Sequence, residues 1–264
     1  MHNDLCRHDL HYSDILDNKQ GVEVDKFVQW PKAVYWQKTF NPIIGCQKIS
    51  PACENCYAKA WAERFNVSFS PHQSTKQKPP KSGICFCGNV TDLFGDWVSN
   101  PSNIIKRTID WRSNAIYLWL TKRVDNMALA LKEVDGLSLF NHFFGFTAEN
   151  QEWFDRRMKI VEDNFPDTPK LWLSAEPLLG PIELHGGHYR YFDWVVVGCE
   201  SGPKRRPCEI KWIEDIVDAC LALEIPVFVK QLVLPNGMFT NKIDDFPKHL
   251  QVRQVPWRAE EVGG

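Results

Sequence analysis

The sequence predicts an α/β fold built on a mainly parallel sheet. Three features indicate this: short apolar runs that alternate with helical stretches, polar side chains just after those runs, and a length of 264 residues. Nearly continuous apolar strands separated by helices are typical of parallel sheets, because both faces of such a sheet are covered. A chain of this length often forms one α/β domain.

The predicted elements follow a first strand just ahead of Cys46. The later strands are predicted over residues 84–90, 115–120, 142–147, 170–174, 194–198 and 226–229. The helices between them are predicted over residues 101–112, 124–134, 151–165 and 210–223. This alternation gives about seven β units.

Polar and charged side chains recur where these strands end. They are Asp92, Lys122, Arg123, Glu149, Asn150, Glu176, Glu200, Ser201, Lys230 and Gln231, and Gly202 completes the turn that begins with Glu200 and Ser201. In a parallel barrel the carboxyl ends of all strands point to one face, and that face carries the active site. Every strand must end in something polar, so one such residue means little. The recurrence of Glu, Lys and Arg favours one shared site.

The stretch from Gly45 to Cys56 is the strongest candidate for chemistry. It places Cys46, Cys53 and Cys56 in the spacing C-x6-C-x2-C, ahead of a predicted helix over residues 57–65. A closed structural zinc site uses four protein ligands, whereas three ligands leave a position open for a substrate or cofactor. Three thiolates on an iron–sulfur cube likewise leave one iron free.

Composition narrows the class of protein. The chain is 44% apolar and 24% charged, as in ordinary globular proteins, and its formal net charge is -2. A charge so near zero gives no reason to expect avid non-specific binding to nucleic acid. Nine scattered cysteines and a polar start without a signal segment indicate a reducing cytoplasm. No apolar run is long enough to span a bilayer, so no membrane partner is expected.

Three segments are predicted along the chain. Residues 1–38 form an N-terminal arm, residues 39–247 form the α/β domain, and residues 248–264 form a C-terminal tail. The arm is polar and mixed in composition, which predicts irregular or partly helical structure there.

Seven segments of the chain form an ordered set of motifs over roughly residues 36–247. They are Thr39-Phe40-Asn41-Pro42 with the cysteine loop, Val90-Thr91-Asp92-Leu93-Phe94, Leu120-Thr121-Lys122-Arg123, residues 145–151, 173–181 and 193–202, and Phe228-Val229-Lys230-Gln231. This ordered set resembles a widespread phage and prophage protein family related to the radical S-adenosylmethionine (radical SAM) superfamily. Each match is weak alone, whereas the set is highly specific.

The resemblance implies a partial or complete (β/α) barrel of the radical SAM type. It also implies a [4Fe–4S] cluster on Cys46, Cys53 and Cys56, with the methionine part of S-adenosylmethionine (SAM) on the open iron. Reduction by an external electron donor would cleave SAM to a deoxyadenosyl radical that abstracts a substrate hydrogen. The protein's task is then to position and insulate the cofactors.

The sequence departs from the superfamily pattern at two places. The commonest spacing in the superfamily is C-x3-C-x2-C, and the longer first gap here is the phage family's own variant. Cys199 stands where relatives usually have glycine, and its β-carbon would crowd a close approach of the backbone to a ligand.

Cofactor contacts are predicted at the strand ends and beside the last cysteine. The candidates are Tyr57, Asp92, Lys122, Glu149, Glu176, Glu200, Ser201 and Gly202. Tyr57 is expected either near the adenine or in the core. Glu176 precedes Pro177, which favours an extended backbone, and is expected to receive the SAM ammonium group or to pair with Lys122 or Arg123.

Substrate contacts are predicted from the remaining polar residues. Lys230 joins the three cysteines as the catalytic candidate, and the substrate-binding candidates are Arg123, Asn150, Arg205 and Gln231. An arginine suits bidentate contact with a phosphate. A solvated turn or helix start is the alternative interpretation of these charged residues.

The resemblance also implies a substrate, namely a modified nucleotide or DNA base. The expected reaction isomerises or rearranges a 5-substituent of a modified thymine in phage DNA, in the cytoplasm of a bacterial host. With so little net charge, any grip on DNA would be local, through residues 204–206 or 76–81, and a free nucleotide is equally consistent. Two other functions stay open: a zinc-stabilised nucleic-acid- or protein-binding module without redox chemistry, and a barrel that keeps the cluster without cleaving SAM.

Overall fold

A computed structural model describes residues 27–73, 77–110, 112–165, 169–184 and 187–258. Most of the predicted N-terminal arm and the last residues of the predicted C-terminal tail lie outside these ranges. Within the ranges, no helix is both long enough and apolar enough to cross a membrane.

The described residues form twelve strands and five α-helices. The strands are β1 (Val28–Gln29), β2 (Lys38–Phe40), β3 (Ile43–Ile44), β4 (His72–Gln73), β5 (Ile84–Cys87), β6 (Ile116–Thr121), β7 (His142–Thr147), β8 (Lys170–Ala175), β9 (Trp194–Gly198), β10 (Val227–Val233), β11 (Phe239–Thr240) and β12 (Gln254–Val255). The helices are α1 (Tyr57–Arg64), α2 (Pro101–Lys106), α3 (Val124–Lys132), α4 (Gln151–Asn164) and α5 (Ile210–Ala222).

Eight of the strands form one sheet in the order β11-β10-β9-β8-β7-β6-β5-β2. Neighbouring strands are parallel except for β10 and β11, which are antiparallel. The order follows the chain without reversal. The predicted mainly parallel sheet is therefore confirmed. Because β2 and β11 are its two edges, the sheet is open, and the closed form of the predicted barrel is not seen.

Helices cover one face of this sheet. Side chains from α3, α4 and α5 share a single apolar core with alternate strand residues such as Phe144, Phe146, Val195 and Val197. Successive strand residues point to opposite faces, so the other half of each strand faces away from the helices. That second side is called the inner face below.

Large aromatic side chains fill the inner face. The rings of Trp172 and Trp194 lie 6.1 and 4.9 Å from the ring of Tyr35. Gly145 is paired with Trp172 across the sheet, and a β-carbon at Gly145 would lie 2.4 Å from the indole nitrogen. The glycine therefore leaves the space that the indole occupies, and the indole N–H donates to the Trp119 carbonyl oxygen at 3.0 Å.

Two segments from outside the predicted domain pack against the inner face. Strands β1 and β12 pair with each other in antiparallel fashion, and Tyr35 and Trp257 are buried among the aromatic residues of the sheet. The buried Arg253 donates to the carbonyl oxygens of Val229 and Lys230, both at 3.2 Å. These segments form a floor under the inner face.

Strand β10 is longer than predicted. The sequence predicts a strand over residues 226–229, because the apolar run stops at Lys230. In the structure the register with β9 shifts between Val229 and Gln231, and the strand continues to Val233 by pairing with β11. An irregularity of this kind adds an unpaired residue and redirects the side chains around it.

The second helix is shorter than predicted. Residues 101–112 were expected to be helical, but α2 ends at Lys106. Two residues later, the Thr108 hydroxyl donates to the Ile105 carbonyl oxygen at 2.6 Å. Threonine hydroxyls that bond to the backbone offer it an alternative to the helical pattern, which accounts for the early end.

A histidine is buried between the sheet and the helices. The ring of His142 stacks on Tyr117 with centroids 5.0 Å apart, and its Nε2 lies 2.9 Å from the Thr108 hydroxyl oxygen. Burial lowers the pKa of His142 to about 3, and the nearby Lys170 acts in the same direction. The folded chain therefore holds this ring in its neutral form.

We predict that acid destabilises the protein through His142. The unfolded side chain takes up a proton below pH 6.5 whereas the folded one does not until about pH 3. Stability is therefore complete above pH 6.5 and falls as the pH drops, by about 1.4 kcal/mol per pH unit. In His142→Phe, which keeps the stacking, urea denaturation between pH 6.5 and about 5 should show a much smaller slope.

A second histidine supplies the control for this test. His72 is exposed, so His72→Gln should keep the slope of the wild-type protein. Equal slopes in the wild-type protein and in His142→Phe would contradict the assignment.

Candidate functional site

The cysteine loop, residues 45–56, lies across the carboxyl ends of the parallel strands. The Thr91 hydroxyl, after β5, donates to the Gly45 carbonyl oxygen at 2.6 Å, and the Cys46 amide donates to the Phe69 carbonyl oxygen at 3.2 Å. Gly45 has a φ of +90°, and a β-carbon there would lie 2.6 Å from the carbonyl oxygens of Phe69 and Ser70. Only glycine fits this entry to the loop.

Cys53 and Cys56 lie at the other end of the loop. Pro51–Cys53 is a short 3-10 turn, and Cys56 is the N-cap of α1. All three loop cysteines are partly exposed, and none forms a disulfide.

A buried ion pair between Asp92 and Arg123 lies under the first part of the loop. Asp92 Oδ2 and Arg123 Nη1 are 3.2 Å apart, and both side chains are almost inaccessible to solvent. Arg123 Nη2 also donates to the Gln47 carbonyl oxygen at 3.2 Å, and the Lys122 amide donates to Asp92 at 3.1 Å. One pair therefore joins the ends of β5 and β6 to the loop.

A second buried pair, between Glu149 and Arg157, lies under the middle of the loop. Their charged atoms are 2.8 Å apart, and their side chains are 0% and 2% exposed. Glu149 accepts a long hydrogen bond of 3.4 Å from the Ala52 amide, and Arg157 donates to the Thr147 carbonyl oxygen at 2.7 Å. Burial lowers the pKa of Arg157, although Glu149 opposes this effect.

Glu200 binds the last part of the loop. This buried carboxylate is ion-paired with Arg206 and accepts a hydrogen bond from the Asn55 side chain at 2.9 Å. Burial alone would raise its pKa, but the hydrogen bonds from Arg206 and Asn55 outweigh burial and hold the pKa below its usual value. Arg206 Nη1 also donates to the Pro51 carbonyl oxygen at 2.9 Å. The end of β9 is thus fixed to the loop at two points.

Glu176 forms a separate group with Lys230 and Gln231. Lys230 Nζ lies 2.7 Å and Gln231 Nε2 lies 3.0 Å from the same oxygen, Oε1 of Glu176. Consecutive residues of a regular strand point to opposite faces, so the register shift in β10 is what lets both side chains reach one carboxylate. Lys230 Nζ also lies 5.8 and 5.5 Å from the ring centroids of Tyr35 and Trp36.

This pairing differs from the one suggested by the sequence. Glu176 was expected to pair with Lys122 or Arg123 if it did not bind a cofactor. Arg123 is instead held by Asp92, and Lys122 Nζ approaches the Thr147 hydroxyl at 3.5 Å. The cation that pairs with Glu176 is Lys230 of β10.

Two further predicted residues have structural contacts of their own. Tyr57 is 57% exposed, and its hydroxyl donates to the Asn89 carbonyl oxygen after β5, so it is not a core residue. Asn150 is the N-cap of α4 and accepts a hydrogen bond from the Trp153 amide at 3.1 Å. Its side chain is therefore engaged in holding the helix.

Ser201, Gly202 and Arg205 lie on a turn that follows β9. Ser201 and Gly202 are exposed, and Arg205 donates to the Gly202 carbonyl oxygen at 3.2 Å. The neighbouring Lys204 carbonyl oxygen accepts a hydrogen bond from Asn55 at 2.8 Å. The turn thus adjoins the cysteine loop and leaves its own polar groups open to solvent.

Three free thiols on one loop are a donor set that an iron–sulfur cube accepts. Burial and the Asp92 carboxylate raise the pKa of Cys46 to about 11, so binding of a metal there would release a proton. No three His, Cys, Asp or Glu side chains in the described ranges form a group that could hold a metal ion. A zinc ion needs ligands that meet at one point, whereas a cube binds each thiolate through a different iron.

Two residues that help to fix the loop are absent from the site predicted from sequence: Asn55, which belongs to the loop and binds Glu200, and Arg157, which holds Glu149. Arg157 carries a usable signal, because it lies on the helical stripe formed by Phe154, Met158 and Val161, and all four side chains are buried. A charge on an apolar stripe indicates a buried ion pair. Asn55 carries no such signal, because its partners come from residues far along the chain.

The profile of one protein family, described as "Protein of unknown function (DUF5131)", matches residues 31–245 of the chain. The chain belongs to this family. The matched region contains the cysteine loop and every strand of the eight-stranded sheet. No curated protein matches the chain. No solved structure matches it either.

We predict that Gly45→Ala displaces the entry to the cysteine loop. The added carbon would meet two backbone oxygens at 2.6 Å, at a positive φ that other residues avoid. The variant should lose at least about 2 kcal/mol in the free energy of unfolding, and the Cys46 amide should exchange its hydrogen faster. Gly136→Ala is the matched control, because Gly136 has a φ of +75° with nothing within 4 Å. Equal losses of stability at the two positions would refute the steric argument.

We also predict that Arg157→Ala lowers the free energy of unfolding by about 3–5 kcal/mol. The cause is Glu149, which would stay buried without a cation. Urea denaturation measures the loss, and Arg156→Ala, at the exposed neighbouring position, should change stability far less. The double variant Glu149→Gln/Arg157→Met should recover much of the loss, because it leaves no buried charge. If the double variant loses as much stability as Glu149→Gln and Arg157→Met lose together as single variants, the two residues do not act as a pair.

Proposed function

We propose that this protein is a radical SAM enzyme in which Cys46, Cys53 and Cys56 hold a [4Fe–4S] cluster. The observation that carries the proposal is the position of the cysteine loop, which lies across the carboxyl ends of a parallel sheet and is held there by side chains from three strand ends. Active sites of parallel barrels are built at that edge. A loop with three thiols at the same edge suits a cofactor whose fourth iron is open.

The order of the strands supports a partial (β/α) barrel as the scaffold. In doubly wound sheets the strand order reverses at a switch point, and helices cover both faces. Here the order follows the chain from β2 to β10, and α3, α4 and α5 contribute to one core. This order is the one expected of a barrel that has not closed, and the described helices that pack on the sheet contribute to the core on the side opposite the inner face.

Cys46, Cys53 and Cys56 would hold the cluster, which would supply the electron for reductive cleavage of SAM. The chain's own residues have other tasks. The arginines that are paired with Asp92, Glu149 and Glu200 keep the loop in place over the sheet. Tyr35 and the other aromatic side chains exclude water from the inner face, which protects a reactive intermediate from side reactions.

The group formed by Glu176, Lys230 and Gln231 is the candidate site for substrate. Its two charged side chains are 15% and 18% exposed, so they are shielded but open to a ligand. It offers a carboxylate, an ammonium group and an amide above two aromatic rings. Glu176 is also the candidate for the SAM ammonium group, which makes the two roles alternatives for one residue.

We extend the proposal to a modified nucleotide or DNA base as the substrate, with rearrangement of a thymine 5-substituent as the specific case. Two basic side chains on the turn after β9, Lys204 and Arg205, are the candidates for contact with a phosphate. Arg206 is not available for this, because it is occupied by Glu200 and Pro51.

The test uses full-length protein purified without oxygen and reconstituted with iron and sulfide. We expect about four irons per chain, and 5′-deoxyadenosine detected by mass spectrometry after addition of SAM and a strong reductant. Both should be lost in Cys53→Ala. Cys208→Ala, which removes a partly exposed thiol outside the loop, should retain both.

Other outcomes would point to the remaining functions. Bound zinc with no iron and no cleavage of SAM would overturn the proposal in favour of a zinc-stabilised binding module. A full complement of iron without deoxyadenosine would indicate a barrel that keeps the cluster and has lost SAM cleavage.

A further inference from the structure

A cavity of about 420 Å³ lies behind the cysteine loop and apart from the site described above. One wall comes from the segment that contains β3 and β4, with Pro42, Pro71 and His72. The opposite wall comes from α2 and the residues around it, including Trp97 and Arg107. A volume of this size suits a small organic molecule.

The cavity wall carries a cation and no carboxylate. Arg107 Nη2 donates to the Gln77 carbonyl oxygen at 2.9 Å, and the guanidinium lies 5.3 Å from the centroid of the Phe40 ring. No Asp or Glu of the described residues lies within ion-pair distance of Arg107, in contrast to Arg123, which has a buried carboxylate partner. A guanidinium has five N–H donors, so most of those on Arg107 are left for a ligand or water.

The rest of the wall suits a flat apolar body. Pro42, Pro71 and Trp97 present planar or rigid surfaces, and Val98 and Ile104 add aliphatic groups. Ligand sites typically combine such a lining with a few polar groups that fix orientation. Here the polar groups are mostly hydrogen-bond donors or neutral amides, which selects against a cationic ligand.

The cavity also adjoins two structures that position the start of the cysteine loop, the hairpin of β3 and β4 and the Arg123 side chain. Strand β3 leads directly into Gly45 and Cys46, and His72 is paired with Ile44 in the hairpin that forms the wall. On the other side, the Arg123 guanidinium lies 4.7 Å from the Trp97 ring centroid. A ligand in the cavity would therefore contact residues that position the start of the cysteine loop.

We propose that this cavity binds a small aromatic anion, with Arg107 receiving the carboxylate or phosphate group and Trp97 packing against the ring. The site is lined by no residue of the cysteine loop and by none of Glu176, Lys230 and Gln231. Its occupancy tightens the hairpin of β3 and β4. The proposal does not depend on which cofactor the cysteines hold.

The test is isothermal titration calorimetry on the metal-free full-length chain. The probes are phenyl phosphate and benzoate, which distinguish the two kinds of anion, and benzyl alcohol as the neutral analogue. We expect at least one anion to bind about tenfold or more tightly than benzyl alcohol. Arg107→Gln should weaken the anion about tenfold. Lys106→Gln also removes one positive charge, but from an exposed position at the end of α2 that is not part of the cavity wall. It should leave binding unchanged.

Two further measurements make the proposal falsifiable. Ser99→Trp should fill the cavity from an exposed position in its wall and abolish binding, with thermal unfolding as the check that the variant is folded. Hydrogen exchange at Ile44 and Cys46 should slow when the anion binds. If neither anion binds, or if Arg107→Gln and Lys106→Gln bind it equally well, the site is refuted. Binding without slower exchange would refute the link to the loop.

Discussion

A carboxylate that is buried at the end of a strand has to be paired with a cation, and this requirement decides where the cysteine loop lies. Asp92, Glu149 and Glu200 follow three different strands, and each is paired with an arginine. A guanidinium has donors to spare after it binds a carboxylate, so Arg123 and Arg206 also bind loop carbonyl oxygens. The path of the loop over the sheet therefore follows from the compensation of buried charge.

The polar residues at this edge fall into two groups with different exposure. Each of the three arginine pairs forms a hydrogen bond to the loop, and their carboxylates are buried. Within the part of the chain that the structure describes, the group of Glu176, Lys230 and Gln231 forms no hydrogen bond to the loop, and it keeps some access to solvent. Its position over Tyr35 and Trp36 gives it one dry side and one open side. This group therefore combines charged side chains with enough exposure to bind a ligand.

The mainly parallel sheet and the common edge at which the predicted polar residues lie could be predicted from sequence, but the partners of those residues could not. Strands β7 and β9 are buried on both faces, so their apolar runs mark them clearly, and the residues that follow them inherit a place at the common edge. The identity of each partner depends on side chains that come from helices or from distant strands. Arg157 on α4 and Lys230 on β10 are examples. The register shift that brings Lys230 to Glu176 cannot be recognised in the sequence, because it interrupts the regular alternation of side chains by which a strand is predicted.

The pairing of β1 with β12 sets the order in which the molecule can be finished. Residues 254 and 255 are synthesised after every strand of the main sheet, yet they and Trp257 help to form the floor under its inner face. On the ribosome, the helix-covered core also waits for late residues, because Phe246, Leu250 and Val252 belong to it and come after every strand of the main sheet. The aromatic side chains of the inner face in turn stay in contact with water until residues 254–257 can pack against them.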